Sequence, residues 1–383
     1  FLLGYNDFGH FAWRVVNTWE GRGFLMETPS LPAFWDHFNP GLALLAPLWG
    51  LWPDARLFFV IQAVCLALPA LLVYAIARRL GGTSAAAAAW AAAYLLYPAL
   101  GQLNVNCSYG WHPVSLALPL MFAALAALLC GWRAAACAAC VLACSFKEDV
   151  FIALACLSLV MAFQAWRDRG RDGDARPGIA ALADRLPWWG WLAAFAVFLA
   201  AFAAVFVFSP FSRYQVGRFT RLGSSFGEVL LSPVLRPGVF WGTLLRPESA
   251  YFLLALMVPL GLKPLKRGWL VLAAAAPPLG VLLAWGNGPA TSIAFQYTTT
   301  LIPILFLAAM AGAASPAGEP PGRVETTASP AFAARLWVAG VAAVAACAVA
   351  STWFGAMPWT RFTFRDVLHQ TYGDEYRRGA IDD

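Results

Sequence analysis

Between Trp188 and Phe208 the chain reads WWGWLAAFAVFLAAFAAVFVF, without a single charged residue. A helix needs about 20 such residues to cross the roughly 30 Å hydrocarbon core of a bilayer, because each residue rises about 1.5 Å. Similar apolar runs recur at about 56–78, 83–100, 113–131, 134–147, 149–166, 249–262, 268–285, 296–312 and 336–353. In lipid every backbone polar group must find its partner inside the protein, so runs of this kind predict helices. Composition agrees. The 383 residues are 61% hydrophobic and 12% charged, half the charge of an average soluble domain, and mean hydropathy is +0.65. The expected fold is an all-α, polytopic transmembrane helical bundle.

Short loops set its orientation, since Lys and Arg collect on the cytoplasmic side. Arg78 and Arg79 share one short loop, Arg133 occupies another, and Lys263, Lys266 and Arg267 a third. The loops 101–112 and 286–295 contain neither Lys nor Arg. Alternation then places 167–187 and 313–335 in the cytoplasm as linkers and 210–248 outside. The stretch NPGLALLAPLWGLW, 39–52, is too short to span and is interrupted by Pro40 and Pro47. It reads as interfacial or re-entrant, which leaves 5–55 as one large first outer loop. That loop opens on an amphipathic helix, about 7–20, with Phe8, Phe11, Val15 and Trp19 against Asp7, His10 and Arg14. Phe1 to Gly4 read as the last turn of a preceding span. Residues 354–383 read as the start of an outer C-terminal segment that continues beyond this sequence. The unit 1–353 is expected to be one multi-pass transmembrane domain.

The eight cysteines suggest no disulfide scaffold, because all but Cys107 lie in apolar runs. Cys137, Cys140 and Cys144 share a helix face but lack a fourth ligand and polar support, so they read as small apolar residues. The net charge of +6 reflects topology, and nothing resembles a nucleic-acid module.

The unusual polar residues gather on the outer side of this topology. Asp7, His10, Asp36 and His37 lie in the first loop, and Asn104, Asn106, Tyr109 and His112 in the second. Lys147, Glu148 and Asp149 stand between two apolar runs, and Asn287, Gln296 and Tyr297 close the next outer loop. Three of the four histidines converge there. Each motif also has a plainer reading. Asp7 and His10 can be a solvated helix face, Asp36 a turn cap, His112 a loop-to-helix junction, and SFKEDVF a tight turn in headgroup water. The arginines of RYQVGRFTRLGSS, Arg213, Arg218 and Arg221, suit either a phosphate or an interfacial anchor. RDRGRDGDARPG, 167–178, and SPAGEPPGRVETTASP, 315–330, read as solvated linkers.

The order YNDFGHFAW, WDHFNPGLALLAPLW, GWHPVSLALPLMFAA, FKEDV and QYTTTLIPIL resembles an uncharacterised prokaryotic membrane family, domain of unknown function two-zero-seven-nine. The resemblance covers nearly the whole chain, and that family continues past the end of this one. Its architecture is similar to GT-C glycosyltransferases, which move sugars from polyprenyl-phosphate donors at the outer membrane face. The resemblance implies that Asp7, just after the first span, is the catalytic base. Where those enzymes carry a paired Asp-x-Asp, this chain has one acidic residue, so metal dependence does not follow. Lys147, Arg213 or Arg218 would then steady the leaving phosphate, His10, His37, His112, Gln296 and Tyr297 would bind or orient substrate, and Glu148 would orient Lys147.

Two other readings stay open. One is a transporter or lipid-handling protein with a solute in the outer polar cavity, although carriers place carboxylates near the midplane and show repeats. The other is a divalent-metal site from Asp7, His10, His37 and Glu148. The expected partners are the lipid bilayer and a polyprenyl-phosphate-linked sugar.

Overall fold

The structure is a computed structural model that describes residues 5–105, 110–169, 178–210, 215–266, 268–286, 288–314 and 329–354. Its regular elements are all helical. Four segments have the length and hydropathy to cross a membrane: Arg56–Arg79, Asp149–Arg167, Trp188–Phe208 and Pro330–Trp353. In the first of these, Pro69 interrupts the hydrogen-bond ladder because it has no N–H. Leu68 nevertheless keeps helical angles, and Arg56–Ala67 runs on into Pro69–Arg79.

Trp188–Phe208 is almost entirely uncovered by the rest of the protein. It packs along Asp149–Arg167 and turns Val197, Val207 and Phe208 outward. An apolar surface of that extent suits lipid, not water. At the opposite extreme, every residue of Ile302–Ala314 is buried, which makes it the central helix. Tyr94 and Tyr97 rest their rings edge-on against its Phe306. Their hydroxyls donate to the Leu66 and Leu256 carbonyls at 2.9 and 2.8 Å.

Small residues dominate one major contact. Ser84–Leu95, capped by the Thr83 hydroxyl, lies against the Ala-rich helix Pro330–Phe354. A Cβ on Gly340 would sit 3.0 Å from that of Ala89. Close backbone approach through small side chains is how helices associate in lipid. The Trp90 indole adds a hydrogen bond to the Leu336 carbonyl at 3.1 Å.

Several apolar runs are shorter as helices than as sequence. The run 83–100 breaks into Ser84–Leu95 and Pro98–Val105, with Pro98 starting the second piece. The run 134–147 ends its helix at Cys144. The run 268–285 is divided by a 3-10 turn at Ala273–Ala275 ahead of Pro277 and Pro278. In 296–312 the helix begins only at Ile302, after a 3-10 turn over Gln296–Thr298. Proline and the polar Gln-Tyr-Thr stretch divert the backbone, and apolarity alone does not set helix length. The segment 39–52 is likewise split, into a 3-10 helix Pro40–Leu45 and a short helix Ala46–Leu51.

Asp168, expected in a solvated linker, is instead 2% exposed and held by Gln164. Leu182 and Ala183, from the same predicted linker, are buried as well. Phe1–Gly4, most of the 313–335 linker and everything after residue 354 lie outside the described residues.

Candidate functional site

The site forms where the ends of several helices meet. Tyr5–Trp19 is the expected first helix, and its Phe11 and Val15 enter the core. Two of its side chains depart from the predicted faces. Trp19 is exposed, and Arg14 is completely buried. A buried guanidinium must be paired. Arg14 meets the Asp36 carboxylate at 2.5 Å and Glu27 at 3.7 Å, and donates to the Asn39 side-chain oxygen at 3.2 Å. Asp36 is therefore an ion-pair partner, not a turn cap. Arg14 clips the irregular segment 27–39 onto the first helix.

Gly41 performs the second join. Its N–H donates to the Ser145 carbonyl at 2.7 Å. A Cβ there would collide with the Ser145 hydroxyl and the Phe146 ring. Only glycine lets the chain after Asn39 press so closely on the turn before Lys147 and Glu148. That contact brings His37 to Glu148. His37 Nδ1 lies 2.7 Å from Glu148 Oε1, and the Phe38 N–H donates to Oε2 at 3.0 Å. Gln215 closes the far side by donating to the Asp36 carbonyl at 3.0 Å.

His112 enters from the turn before Val114–Leu129. Gly110, at φ +72°, supplies a left-handed residue that side chains disfavour. The His112 N–H donates to Gln62 at 3.2 Å, and Gln62 in turn donates to the Leu103 carbonyl. The imidazole Nε2 then stands 3.1 Å from Asp7 Oδ2. His112 is buried while the Asp7 side chain is a third exposed.

Two carboxylate–imidazole pairs thus flank Phe11, whose ring centroid lies 5.5 Å from that of His112 and 6.3 Å from that of His37. The two pairs are inverted. In one the buried member is the imidazole and the carboxylate has access. In the other the carboxylate is buried and the imidazole is more open. Between them lies a small cavity, with His37, Asn39, His112 and Lys147 as its polar lining and Phe11 and Phe146 among its apolar walls.

Burial pushes the Asp7 carboxyl up, but the hydrogen bond and charge of His112, with His37 and His10 nearby, outweigh it and hold the group below its usual value. Burial dominates at His112 and lowers its pKa, against the pull of Asp7. Glu148 is also driven upward by burial, yet the charge and hydrogen bond of His37, with Lys147 close by, hold it well below the carboxylate range. At neutral pH the site therefore presents ionised carboxylates and a neutral His112.

Asp7, His37, His112, Lys147 and Glu148 come together. Tyr297 joins them with its ring 5.7 Å below the Lys147 ammonium, and it meets Trp285, over which Arg218 lies at 4.4 Å. Gln296 is buried beside Tyr297. His10 departs from the set, because its imidazole bonds Glu27 and the hydrogen bond of Asp7 goes to His112. Glu148 holds His37 in place of Lys147, whose ion-pair partner is Asp149 at 3.5 Å. Arg213, Asn106, Tyr109 and Asn287 lie outside the described residues. Among the described residues no three His, Cys, Asp or Glu side chains are grouped to hold a metal ion. Asp7, His10, His37 and Glu148 each use an imidazole–carboxylate contact and are divided among three pairs.

Sequence reasoning missed Arg14, Glu27, Gln62 and Gln215 as members of this network. Gln62 had a signal, being the one uncharged polar side chain in RLFFVIQAVCLA. For Arg14 there was none, since its partners lie more than ten residues away in irregular chain.

Over residues 1–366 the sequence matches the family described as predicted membrane protein, DUF2079. The chain belongs to that family. The resemblance carried by YNDFGHFAW and the motifs after it is thereby borne out. No curated protein and no solved structure matches the chain.

Proposed function

We propose that the protein is a GT-C-like glycosyltransferase that moves a sugar from a polyprenyl-phosphate donor at the outer face of a prokaryotic plasma membrane. The observation that carries this reading is the partly exposed Asp7 carboxylate, held by buried His112, a residue that lines a cavity together with Lys147. Transfer to a hydroxyl needs a base for its proton and positive charge for the departing phosphate. In this reaction Asp7 accepts the proton of the acceptor hydroxyl as its oxygen bonds to the anomeric carbon. The bond from that carbon to the phosphate oxygen breaks, and the phosphate leaves with the electron pair. Lys147, which lines the cavity, is a cation to receive it, and Arg218, stacked on Trp285 beside Tyr297, is a second.

The test is transfer by the purified protein, reconstituted with a panel of polyprenyl-phosphate sugars, with and without chelator. Asp7→Asn keeps shape and removes the base, so transfer should fall by about 10²–10⁴ while folding survives. Full activity in Asp7→Asn would reduce Asp7 to a solvated helix face. No transfer by the wild type, with solute flux in its place, would move the transporter reading ahead.

A further inference from the structure

Two short helices of the segment expected outside are built inside out. Phe226–Leu235 and Pro237–Leu244 follow the span Trp188–Phe208 and contain a single charged residue, Glu228. A helix that faces water turns its apolar side inward and its polar side out. Here the order is reversed. Ser232 and Thr243 are buried, while Leu230, Leu231, Val234 and Leu235 of the first helix and Val239 and Trp241 of the second are exposed, Val234 by 77%. The two hydroxyls bond within their own helices, Ser232 donating to the Val229 carbonyl at 2.6 Å and Thr243 to the Val239 carbonyl at 2.8 Å. No tertiary hydrogen bond of theirs explains why they point inward. A continuous apolar face of this kind is costly in water and suits lipid.

Length and position say how the pair meets the membrane. Its helices of ten and eight residues rise about 15 and 12 Å, short of the roughly 30 Å hydrocarbon core. Neither crosses it. The Phe226 ring centroid lies 5.2 Å from that of Phe206, so the first helix begins at the end of the span, where hydrocarbon gives way to headgroups. Arg236, at the joint between the two helices, is exposed. A cation there makes a descent toward the bilayer centre expensive, by a few kcal/mol, and the pair therefore lies along the interface. Glu228 accepts from the Ser224 N–H at 2.8 Å, a cap that keeps its charge at the start of the helix.

The two ends carry positive charge. Arg246 follows the second helix and donates from Nε to the Thr243 carbonyl at 2.7 Å and from Nη1 to the Gly286 carbonyl at 3.1 Å, which leaves Nη2 without a partner. Arg221 precedes the first helix and is exposed. A Cβ built on Gly286 would lie 3.9 Å from a guanidinium nitrogen of each, so both cations face one spot. Among the described residues neither has a carboxylate within ion-pair distance. Two guanidiniums at one point call for an anion between them, and the anion met at this depth is a lipid phosphate.

We propose that residues 226–245 form a monotopic surface embedded in the leaflet where Trp188–Phe208 ends, the outer one by the short-loop charges, with a phospholipid phosphate held between Arg221 and Arg246. The apolar face continues that of the span. The phosphate lies beside Trp285, on which Arg218 stacks. The inference does not depend on the glycosyl-transfer reading.

The test uses the full chain in vesicles of phosphatidylglycerol and phosphatidylethanolamine that contain a phospholipid with a photoactivatable diazirine. One set carries it near the headgroup end of the acyl chain, the other near the terminal methyl. Peptide mapping after irradiation locates the adducts. An interfacial helix buries its apolar face only about 5–10 Å, so the shallow probe should label 226–245 several-fold more than the deep one, and both should label Trp188–Phe208. A labelled span beside an unlabelled 226–245, as water or a second copy of the chain covering it would give, overturns the proposal. Equal labelling of 226–245 by the two probes overturns it as well. Retention of phosphatidylglycerol by the purified protein, counted by native mass spectrometry, reads the arginines. Arg221→Gln with Arg246→Gln should weaken it about fivefold per arginine, from about 1 kcal/mol each, and unchanged retention overturns the phosphate contact. Photolabelling of the wild type decides even if the double variant does not fold.

Discussion

Replacing Glu148 with Gln changes one oxygen to an amide and leaves the side-chain volume nearly constant. The carboxylate is 3% exposed and receives two contacts, from His37 Nδ1 at 2.7 Å and from the Phe38 N–H at 3.0 Å. The amide oxygen of Gln can keep only one of them. If it faces Phe38, the new N–H₂ points at the His37 donor, and a charge-assisted bond of about 1.5–3 kcal/mol becomes two opposed donors. Breaking a buried pair from one side typically costs about 3–5 kcal/mol, and we expect a loss of that order at neutral pH. The pH dependence has a definite sign. The folded carboxyl is held below its ordinary value of 4.5, so the unfolded chain binds the proton first as pH falls. Stability from this group is complete above about 4.5 and declines below it. Unfolding of wild type and Glu148→Gln in mixed SDS micelles at pH 7 and at pH 4 measures both effects. The gap should be several kcal/mol at pH 7 and smaller at pH 4. A variant within about 1 kcal/mol of wild type at pH 7, or a gap equal at the two pH values, refutes the argument.

Arg14→Met removes a fully buried cation and strands Asp36, so it should destabilise by about 3–5 kcal/mol. Arg14→Met with Asp36→Asn should be milder, and the same micelle titration reports both. Gly41→Ala forces the Pro40–Leu45 turn away from Ser145 and Phe146. It should lower stability by about 1–3 kcal/mol and weaken the contact between His37 and Glu148, readable as an upward move of the Glu148 carboxyl titration. Burial lowers the His112 pKa from 6.5, so the unfolded chain gains a proton there before the folded one. Stability should fall as pH drops below about 6.5, and His112→Gln should flatten that slope in thermal melts.

The amphipathic start of the chain shows how far local pattern reaches. Phe11 and Val15 were legible as core, because helical periodicity depends only on neighbours three and four apart. Arg14 was not, because its burial depends on Asp36, Glu27 and Asn39, which reach it through irregular chain that has no period to read. The same division separates Glu148 from its role. Three consecutive charges between apolar runs mark SFKEDVF as unusual in a membrane protein. That Glu148 meets His37, and not its neighbour Lys147, follows from the close approach of Gly41 to Ser145.

An all-helical membrane protein was legible in the order of residues alone, because uncharged runs of bilayer length admit no other spanning structure for one chain segment. The same order also marked Asp7, His37, His112 and Lys147 as worth attention, through their cost near an apolar phase. Which carboxylate serves which imidazole, and where the helices stop, came from the packed chain. It also turned Asn39's amide donor away from Arg14. Those outcomes depend on contacts between residues as much as 111 positions apart. Hydrogen-bond geometry over such separations is set by packing, and packing is not written in any local period.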